Sequence, residues 1–491
     1  MNITLNNIGI IKNSTIELNG LTVVTGKNNS GKTTVGKVLY ALIEGVSDIR
    51  RKAERDRIAY MRKQLENVRF SLETFRTLSV VLKHKKQDVA KMPEYSWLFD
   101  FLDEHHIPDD SLRELKIYAR ILCEKLKILD TSNFYVEKYM LSALRTMYSS
   151  DDFDIRESLN KQREKAIEII ERAFITIEQD NELIDYARES INQTLCVEFS
   201  EQIQPVRCSD CESNIKLYDD DAVCFSFDII NNIIVKKDTP VFLSSPYKKI
   251  YFIDDPFVLD ELPYQYFEHT IRGRYGFGLS APNSFFNASN ILPHRVKLKY
   301  DLVRTSQPSV FEQTVIDDKT NLVYEKILEV IPGNFEHSKD GDYYIHNGVK
   351  LKISNLATGS KMFSIIKMLM EKGELDSSTV LVLDEPEAHL HPKWQNQFAE
   401  LIVLIVKYLN VNVLLTTHSP NFMLALDAYM RKYDIAEKTN FYQTESREDG
   451  AIDYFCVNDD MGRIYADFLD YLSKMKVLRN KYLGDFGDET N

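Results

Sequence analysis

No stretch of this chain runs apolar for the roughly 18 residues that a membrane-spanning helix needs, so none is expected. The first residues, Met1-Asn-Ile-Thr-Leu, enter a strand pattern directly rather than a charged and then apolar leader, so no secretory signal is expected either. Cysteine is sparse, six in 491 residues, which excludes a disulfide scaffold and fits a reducing cytoplasm. Cys208-Ser-Asp-Cys211 is the one pair at metal-ligand spacing. It would need two further ligands, from Cys196, Cys224 or a second subunit, so it reads either as a zinc or redox pair or as reduced structural cysteines. Positive charge is in deficit: the net charge is −13, and the molecule as a whole does not attract polyanions. Locally the balance reverses. Residues 50–91 hold 13 basic and 5 acidic side chains, a surplus of +8, which reads either as a phosphate-backbone track for DNA or RNA or as a solvated helix face.

What the chain does contain is a hydrophobic fraction of 44%, enough for a full core, and two chemically loaded segments near opposite ends. Leu21-Thr-Val-Val-Thr25 is a β-branched run that reads as a buried strand, and Lys32 to Ile43 carries apolar residues at helical spacing. Between them lies Gly26-Lys27-Asn28-Asn29-Ser30-Gly31, followed by Lys32-Thr33-Thr34. Strand, glycine loop and helix are the context in which GxxxxGK[ST] cradles phosphates. Gly26 and Gly31 let the backbone turn successive N–H groups inward, and the helix N-terminus adds partial positive charge. Gly26 to Thr34 are therefore the candidate phosphate-binding residues. Lys32 is expected to bridge the outer phosphates, and the Thr33 hydroxyl to sit on Mg²⁺.

The second segment is Thr379-Val-Leu-Val-Leu383, continuously apolar as a central parallel strand should be, ending in Asp384-Glu385-Pro386. Two adjacent acids at a strand end are costly unless a cation neutralises them. Asp384 is the candidate second metal ligand beside Thr33, and Glu385 is the candidate base for an attacking water. A third apolar run, Val411 to Thr417, ends at His418, the second candidate catalytic residue, which is expected to contact the terminal phosphate or the water. A fourth element, Thr358-Gly359-Ser360-Lys361, opens an amphipathic helix and reads either as a second anion site or as an ordinary helix start. Together these segments imply binding and hydrolysis of ATP or GTP.

The order of these elements resembles the ABC-type ATPases of the SMC/RecF/RecN kind. More closely, the chain is similar to the prokaryotic AAA family ATPases that include overcoming-lysogenization-defect proteins and the ATPase subunits of anti-phage systems such as Septu and PARIS. The resemblance rests on Ile8-Gly-Ile10 with Ile16-Glu-Leu18, Gly26 to Thr33, Asn355 to Lys361, Leu383-Asp-Glu-Pro-Glu-Ala-His-Leu-His-Pro-Lys-Trp-Gln395 and Thr416 to Pro420. It covers about 1–45 and 340–460. It implies an α/β fold, an ABC/SMC-type P-loop head with a mixed sheet and an antiparallel β lobe, interrupted by a helical insertion. ATP and Mg²⁺ would be the cofactors. A homodimer or higher oligomer would close on ATP, with Thr358, Gly359 and Ser360 reaching the phosphate of the opposite subunit and Ala388 to Pro392 near the seam. Ala357-Thr-Gly-Ser360 stands where transporter ATPases carry LSGGQ, which disfavours a transporter subunit. His389 and His391 read either as a turn or as metal ligands.

The motifs at both ends must meet in one head, so the expected domains are a head (1–45, 195–255 and 335–491), a helical arm or bundle (46–194) and a loop-rich and helical insertion (256–334). Breaks near Pro93, Pro108 and 149–152 argue for a bundle rather than one long coiled coil. Runs such as Cys196-Val-Glu-Phe199 and Val223 to Ile230 read as strands of the antiparallel lobe. Asp254-Asp255 and Asp459-Asp460 read as turns. The tail beyond His418 is shorter than the roughly 100 residues of a nuclease domain. Three functions follow: an ATP-driven switch of a defence system acting on a separately encoded nuclease or toxin, a RecF/SMC-like DNA-maintenance ATPase, and an ATP-assembled scaffold with little turnover.

Overall fold

The computed structural model describes residues 1–72, 75, 98, 111–129, 154–178, 183–206, 211–219, 222–235, 245, 247–260, 291–303, 318–338 and 341–482. In chain order the strands are β1 (Asn2–Ile8), β2 (Ile11–Glu17), β3 (Leu21–Thr25), β4 (Ser213–Asp219), β5 (Ala222–Ile230), β6 (Ile233–Ile234), β7 (Lys249–Ile253), β8 (Asn334–Ser338), β9 (Gly341–His346), β10 (Val349–Lys352), β11 (Thr379–Asp384), β12 (Asn412–Thr417), β13 (Thr439–Ser446) and β14 (Ile452–Cys456). The helices are α1 (Lys32–Val46), α2 (Ile49–Ser71), α3 (Leu112–Ile128), α4 (Ile155–Glu178), α5 (Leu183–Glu198), α6 (His294–Val303), α7 (Asp318–Leu328), α8 (Thr358–Glu371), α9 (Pro392–Leu404), α10 (Pro420–Lys432) and α11 (Met461–Tyr482). The chain divides into two compact units. One comprises Met1–Ile49, Leu183–Gly276 and Ile291–Asn491, the other Arg50–Glu182 and Phe277–Asn290.

The first unit is α/β. Among the described residues, eleven strands form one mixed sheet in the order β6-β5-β4-β1-β2-β14-β13-β3-β12-β11-β7. One half, β6 to β2, is an antiparallel lobe, and β13, β3, β12, β11 and β7 run parallel. The continuous apolar runs follow from burial on both faces. Leu21 and Val23 of β3, Leu381 and Leu383 of β11, and Val413 and Leu415 of β12 enter one core with α8, α9 and α10. Val24, Val380, Val382 and Leu414 enter the other core, with α1, α5 and the antiparallel lobe. A period of two therefore hides inside an unbroken hydrophobic string.

Parallel register brings the strand ends together. Thr25 pairs with Thr417, Asp384 with Thr416, and Ile253 with Leu383, so the loops after β3, β12, β11 and β7 open on the same edge. Ligands of open α/β sheets sit at this carboxyl edge.

The second unit has its own core. Met61, Leu65 and Val68 of α2, Leu115, Ala119, Leu122 and Leu126 of α3, and Leu159, Ala166, Ile170 and Ala173 of α4 are buried together. Helices α3 and α4 run antiparallel: Leu129 O accepts from Arg163 Nη1 (2.7 Å), Lys127 pairs with Glu171 (2.6 Å), and Lys116 approaches Glu178 (3.9 Å). In the basic tract, Arg50, Arg51, Arg55 and Lys63 lie exposed along α2, and the tract from residue 76 onward lies outside the described residues.

Two expectations change. Cys196-Val-Glu198 is the last turn of α5 rather than a strand, because Ile191 and Leu195 place an apolar helical face against α1. Cys211 is disulfide-bonded, against the expectation of reduced cysteines, whereas Cys123, Cys196, Cys224 and Cys456 are free; Cys208 lies outside the described residues. Among the described residues, no helix is long and apolar enough to cross a membrane.

Candidate functional site

The loop from Gly26 to Gly31 joins the buried end of β3 to α1. Gly31 caps that helix at φ 72°, in the left-handed region that glycine enters without strain. Residues on β13 and β14 brace the loop from behind: Thr444 Oγ1 donates to Ser30 Oγ (2.7 Å) and Tyr454 Oη to Gly31 O (2.6 Å). Lys32, buried with 5% of its surface exposed, donates its Nζ to Gly26 O (3.2 Å) and Lys27 O (2.9 Å), so its ammonium lies under the loop. Lys27, Asn28 and Asn29 are exposed on the rim, and the Thr34 amide closes a turn onto Gly31 O (2.9 Å).

The second segment meets the first. Thr33 Oγ1 donates to Asp384 Oδ2 (2.6 Å), and Thr416 Oγ1 donates to Asp384 Oδ1. Lys32 Nζ lies 3.2 Å from Glu385 Oε1, which is also 3.2 Å from His418 Nδ1. Lysine, glutamate and histidine thus stand in a row, drawn from the start of α1 and the ends of β11 and β12. Burial pushes the Asp384 carboxyl above its ordinary value, with Glu385 and Asp254 adding repulsion and the Thr33 and Thr416 hydroxyls opposing it. A carboxylate in that condition favours a cation. A threonine hydroxyl and a carboxylate oxygen side by side are hard oxygen donors of the kind Mg²⁺ takes beside nucleotide phosphates. Glu385 itself sits at φ 49°, a left-handed conformation that costs about 1–3 kcal/mol in a non-glycine residue. Its amide is held there by Thr416 O and Thr416 Oγ1, each at 3.1 Å.

A cavity of about 720 Å³ opens beside the loop. Gly26 to Asn28 and Ser30 line it with His418 to Pro420, Met423, the end of β13 from Gln443 to Ser446, and Arg463 and Ile464 of α11.

Thr358 to Lys361 are placed elsewhere. Among the described residues they make no hydrogen bond or ion pair with the glycine loop or with Asp384. Lys361 is turned inward, 2.5 and 2.6 Å from the two oxygens of Asp260, with its Nζ 5.2 Å from the centre of the Phe257 ring. Gly359 has a packing reason: a Cβ there would lie 2.9 Å from Trp394 ring atoms. The helix start has no side-chain cap. His391 caps α9, accepting from the Lys393 amide (3.3 Å), and His389 packs edge-on against Phe257.

Four residues carry roles that sequence reasoning missed. Thr444 and Tyr454 brace the loop from strands more than 400 positions away, and nothing local marks them. Asp254, read as a turn residue, follows β7 as Asp384 ends β11. The Lys249–Ile253 run before it was the available signal. Burial works against its charged form, yet His294 and Arg295 hold Asp254 down at about 2. Glu387 is buried at 2% exposure and bonds to the end of β12.

Residues 297–423 match the AAA ATPase domain family. This span contains Thr358 to Lys361, Asp384, Glu385 and His418 but not the glycine loop, which the fold brings to it. A search of curated proteins finds no match. Solved structures similar to this chain include the SMC head domain from Thermotoga maritima (10% identity, TM-score 0.31, covering 93% of this chain and 98% of that one). An SMC head bound to the C-terminal winged-helix domain of ScpA is another (10% identity, TM-score 0.33, covering 93% and 96%). A third is the Pyrococcus furiosus Smc head with an extended coiled coil, bound to the C-terminal domain of ScpA (10% identity, TM-score 0.30, covering 97% and 98%). The matched family and the carboxyl-edge site agree on one coarse statement: the chain carries a segment similar to AAA ATPase domains, set in a mixed α/β sheet.

Proposed function

We propose that this protein binds ATP with Mg²⁺ and hydrolyses it, using the binding step to close two copies and the hydrolysis step to release them. The observation that carries the reading is the meeting of Thr33 with Asp384 and of Lys32 with Glu385, residues that are some 350 positions apart in sequence. Gly26 to Thr34 would hold the phosphates. Thr33 and Asp384 would hold Mg²⁺, which supplies charge neutralisation at the transferred phosphoryl group. Glu385, strained and facing Lys32 and His418, would take the proton of the attacking water, with His418 orienting it. Thr358, Gly359 and Ser360, which contact neither the loop nor Asp384 within the chain, would serve the phosphate of the opposite copy.

For the biological setting we infer, from the motifs that resemble those of defence ATPases, an anti-phage switch that passes its nucleotide state to a separately encoded nuclease or toxin. A RecF/SMC-like DNA-maintenance role is the second reading, supported by the exposed bases of α2. ATPase stimulation by DNA ends or gaps without any partner protein would favour it.

The test is Glu385→Gln. ATP binding should stay within about twofold of wild type, while turnover falls by about 10²–10⁴, the range for a removed general base. ATP-bound dimers should accumulate, as read by sedimentation. Wild-type turnover in this variant would remove Glu385 from the role of base. Failure of the wild type to bind ATP with Mg²⁺ would end the nucleotide reading altogether.

A further inference from the structure

Beyond Asp384 and Glu385, the turn after β11 holds a third carboxylate, Glu387, whose side chain points back into the protein. It is buried at 2% exposure. Its Oε1 accepts from the Thr417 hydroxyl and from the His418 amide (3.4 Å), and its Oε2 is buried with no hydrogen-bond partner. Its backbone carbonyl accepts from the Leu390 amide (2.9 Å) and from Gln395 Nε2 (3.3 Å), so the residue is anchored at both ends. Burial pushes the Glu387 carboxyl above its ordinary value, despite the opposing Thr417 bond. A buried acid with one orphaned oxygen costs stability, and an apolar side chain filling the same space would not.

Its partners explain its presence. Successive residues of the turn clip successive residues of β12. Asp384 takes the Thr416 hydroxyl, the Glu385 amide takes Thr416 O and Oγ1, and Glu387 takes Thr417 and His418. Thr417, fully buried, accepts at its hydroxyl oxygen from the Ser419 amide (3.0 Å), just before α10. Glu387 is the last clip, the one that reaches the backbone of His418 itself. Without it, β12 is indexed to the turn only as far as Thr416, and the separation of 3.2 Å between His418 Nδ1 and Glu385 Oε1 loses its support.

We propose that Glu387 is a positioning residue of the proposed ATPase: its Oε1 sets the Thr417–His418 turn so that the imidazole is held against Glu385. The inference rests on the nucleotide reading above. It requires an oxygen acceptor at this place and no negative charge. Among the described residues Glu387 makes no hydrogen bond or ion pair with the glycine loop, so its loss should leave ATP binding in place.

The experiment measures kcat and ATP Kd for the full chain in Glu387→Ala, Glu387→Gln and Thr417→Val, with and without His418→Ala. Glu387→Ala should lower kcat by on the order of tenfold to a hundredfold, the scale of a misplaced catalytic group, with Kd unchanged. Thr417→Val, which breaks the same bond from the other side, should give a loss of the same order even where the alanine variant folds poorly. Glu387→Gln keeps the acceptor and should recover most of the turnover lost in Glu387→Ala. In the His418→Ala background, Glu387→Ala should cost little more, because the two act as one unit. The inference is overturned if the losses at Glu387 and His418 multiply independently, if glutamine is as damaging as alanine, or if Kd weakens in step with kcat. A wild type without ATP turnover overturns the nucleotide reading and this inference with it. A working wild type with any of those three results overturns this inference alone.

Discussion

Single side chains around the glycine loop have separable tasks. Lys32 is fully committed in the folded chain, to two loop carbonyls and to Glu385, so its ammonium is already desolvated and aimed before any nucleotide arrives. Lys32→Ala should weaken ATP binding by about 10–100-fold, since a charge-assisted hydrogen bond contributes about 1.5–3 kcal/mol. Isothermal titration with Mg²⁺ and ATP checks it. An unchanged affinity would mean that the loop does not hold the phosphates. Thr444→Val removes the bond to Ser30 from β13 while leaving every loop residue in place. A buried bond of this kind contributes about 1 kcal/mol, and a loss of ATP affinity of roughly fivefold, without loss of fold, would show that the brace shapes the loop.

At the level of helices and strands, close packing and buried ion pairs set the tolerances. The start of α8 passes so near Trp394 that Gly359→Ala places a methyl group 2.9 Å from a rigid ring. Overpacking there should destabilise the protein by about 1–3 kcal/mol, read as a lower melting temperature or denaturant midpoint. The link between α5, α6 and β7 is electrostatic. His294 is stacked on Phe252, its Nδ1 lies 2.7 Å from Glu198 Oε2, and its Nε2 lies 3.1 Å from Asp254 Oδ2. Burial opposes its charged form, but the adjoining carboxylates of Asp254 and Glu198 raise it to about 9 from an ordinary 6.5. The folded protein therefore binds this proton more tightly than the unfolded chain. The resulting stability is fully present below pH 6.5 and is lost as the pH rises through about 9. Melting temperature should fall over that window more steeply in wild type than in His294→Gln, and equal slopes would remove His294 from the account.

The whole molecule consists of two compact units, each with a core of its own, and the proposed chemistry lies entirely in the sheet-bearing one. A ligand that binds the native state alone adds stability that grows with the logarithm of its concentration over its Kd, about 2.7 kcal/mol at a hundred times its Kd. ATP with Mg²⁺ should therefore raise the melting transition of that unit, and by clearly less in Lys32→Ala at the same ATP concentration. The same thermal scan on Glu385→Gln, run at two protein concentrations, should show a concentration-dependent midpoint if ATP closes two copies. A midpoint independent of concentration would argue for a monomeric switch.

Much of this was legible in the residues. Gly26 to Thr33, the apolar string before Asp384 and the run before His418 each carry their own local logic, because phosphate cradling and two-faced burial constrain neighbouring residues directly. The sequence alone determined that one chain holds a glycine loop between a strand and a helix, a pair of strand-end acids and a histidine, and that a helical segment lies between them. Sequence could not say that Thr444 and Tyr454 hold the loop, that Asp254 stands beside Asp384 rather than in a bare turn, or that Cys196 ends a helix. Nor could it say that Lys361, read as part of either an anion site or an ordinary helix start, is taken by Asp260, or that Glu387 grips Thr417 and the His418 amide. Those facts depend on strand order and parallel register, which set far-apart residues at one sheet edge. Such pairings are decided by how buried faces stack, and no stretch of chain records its neighbour across the sheet.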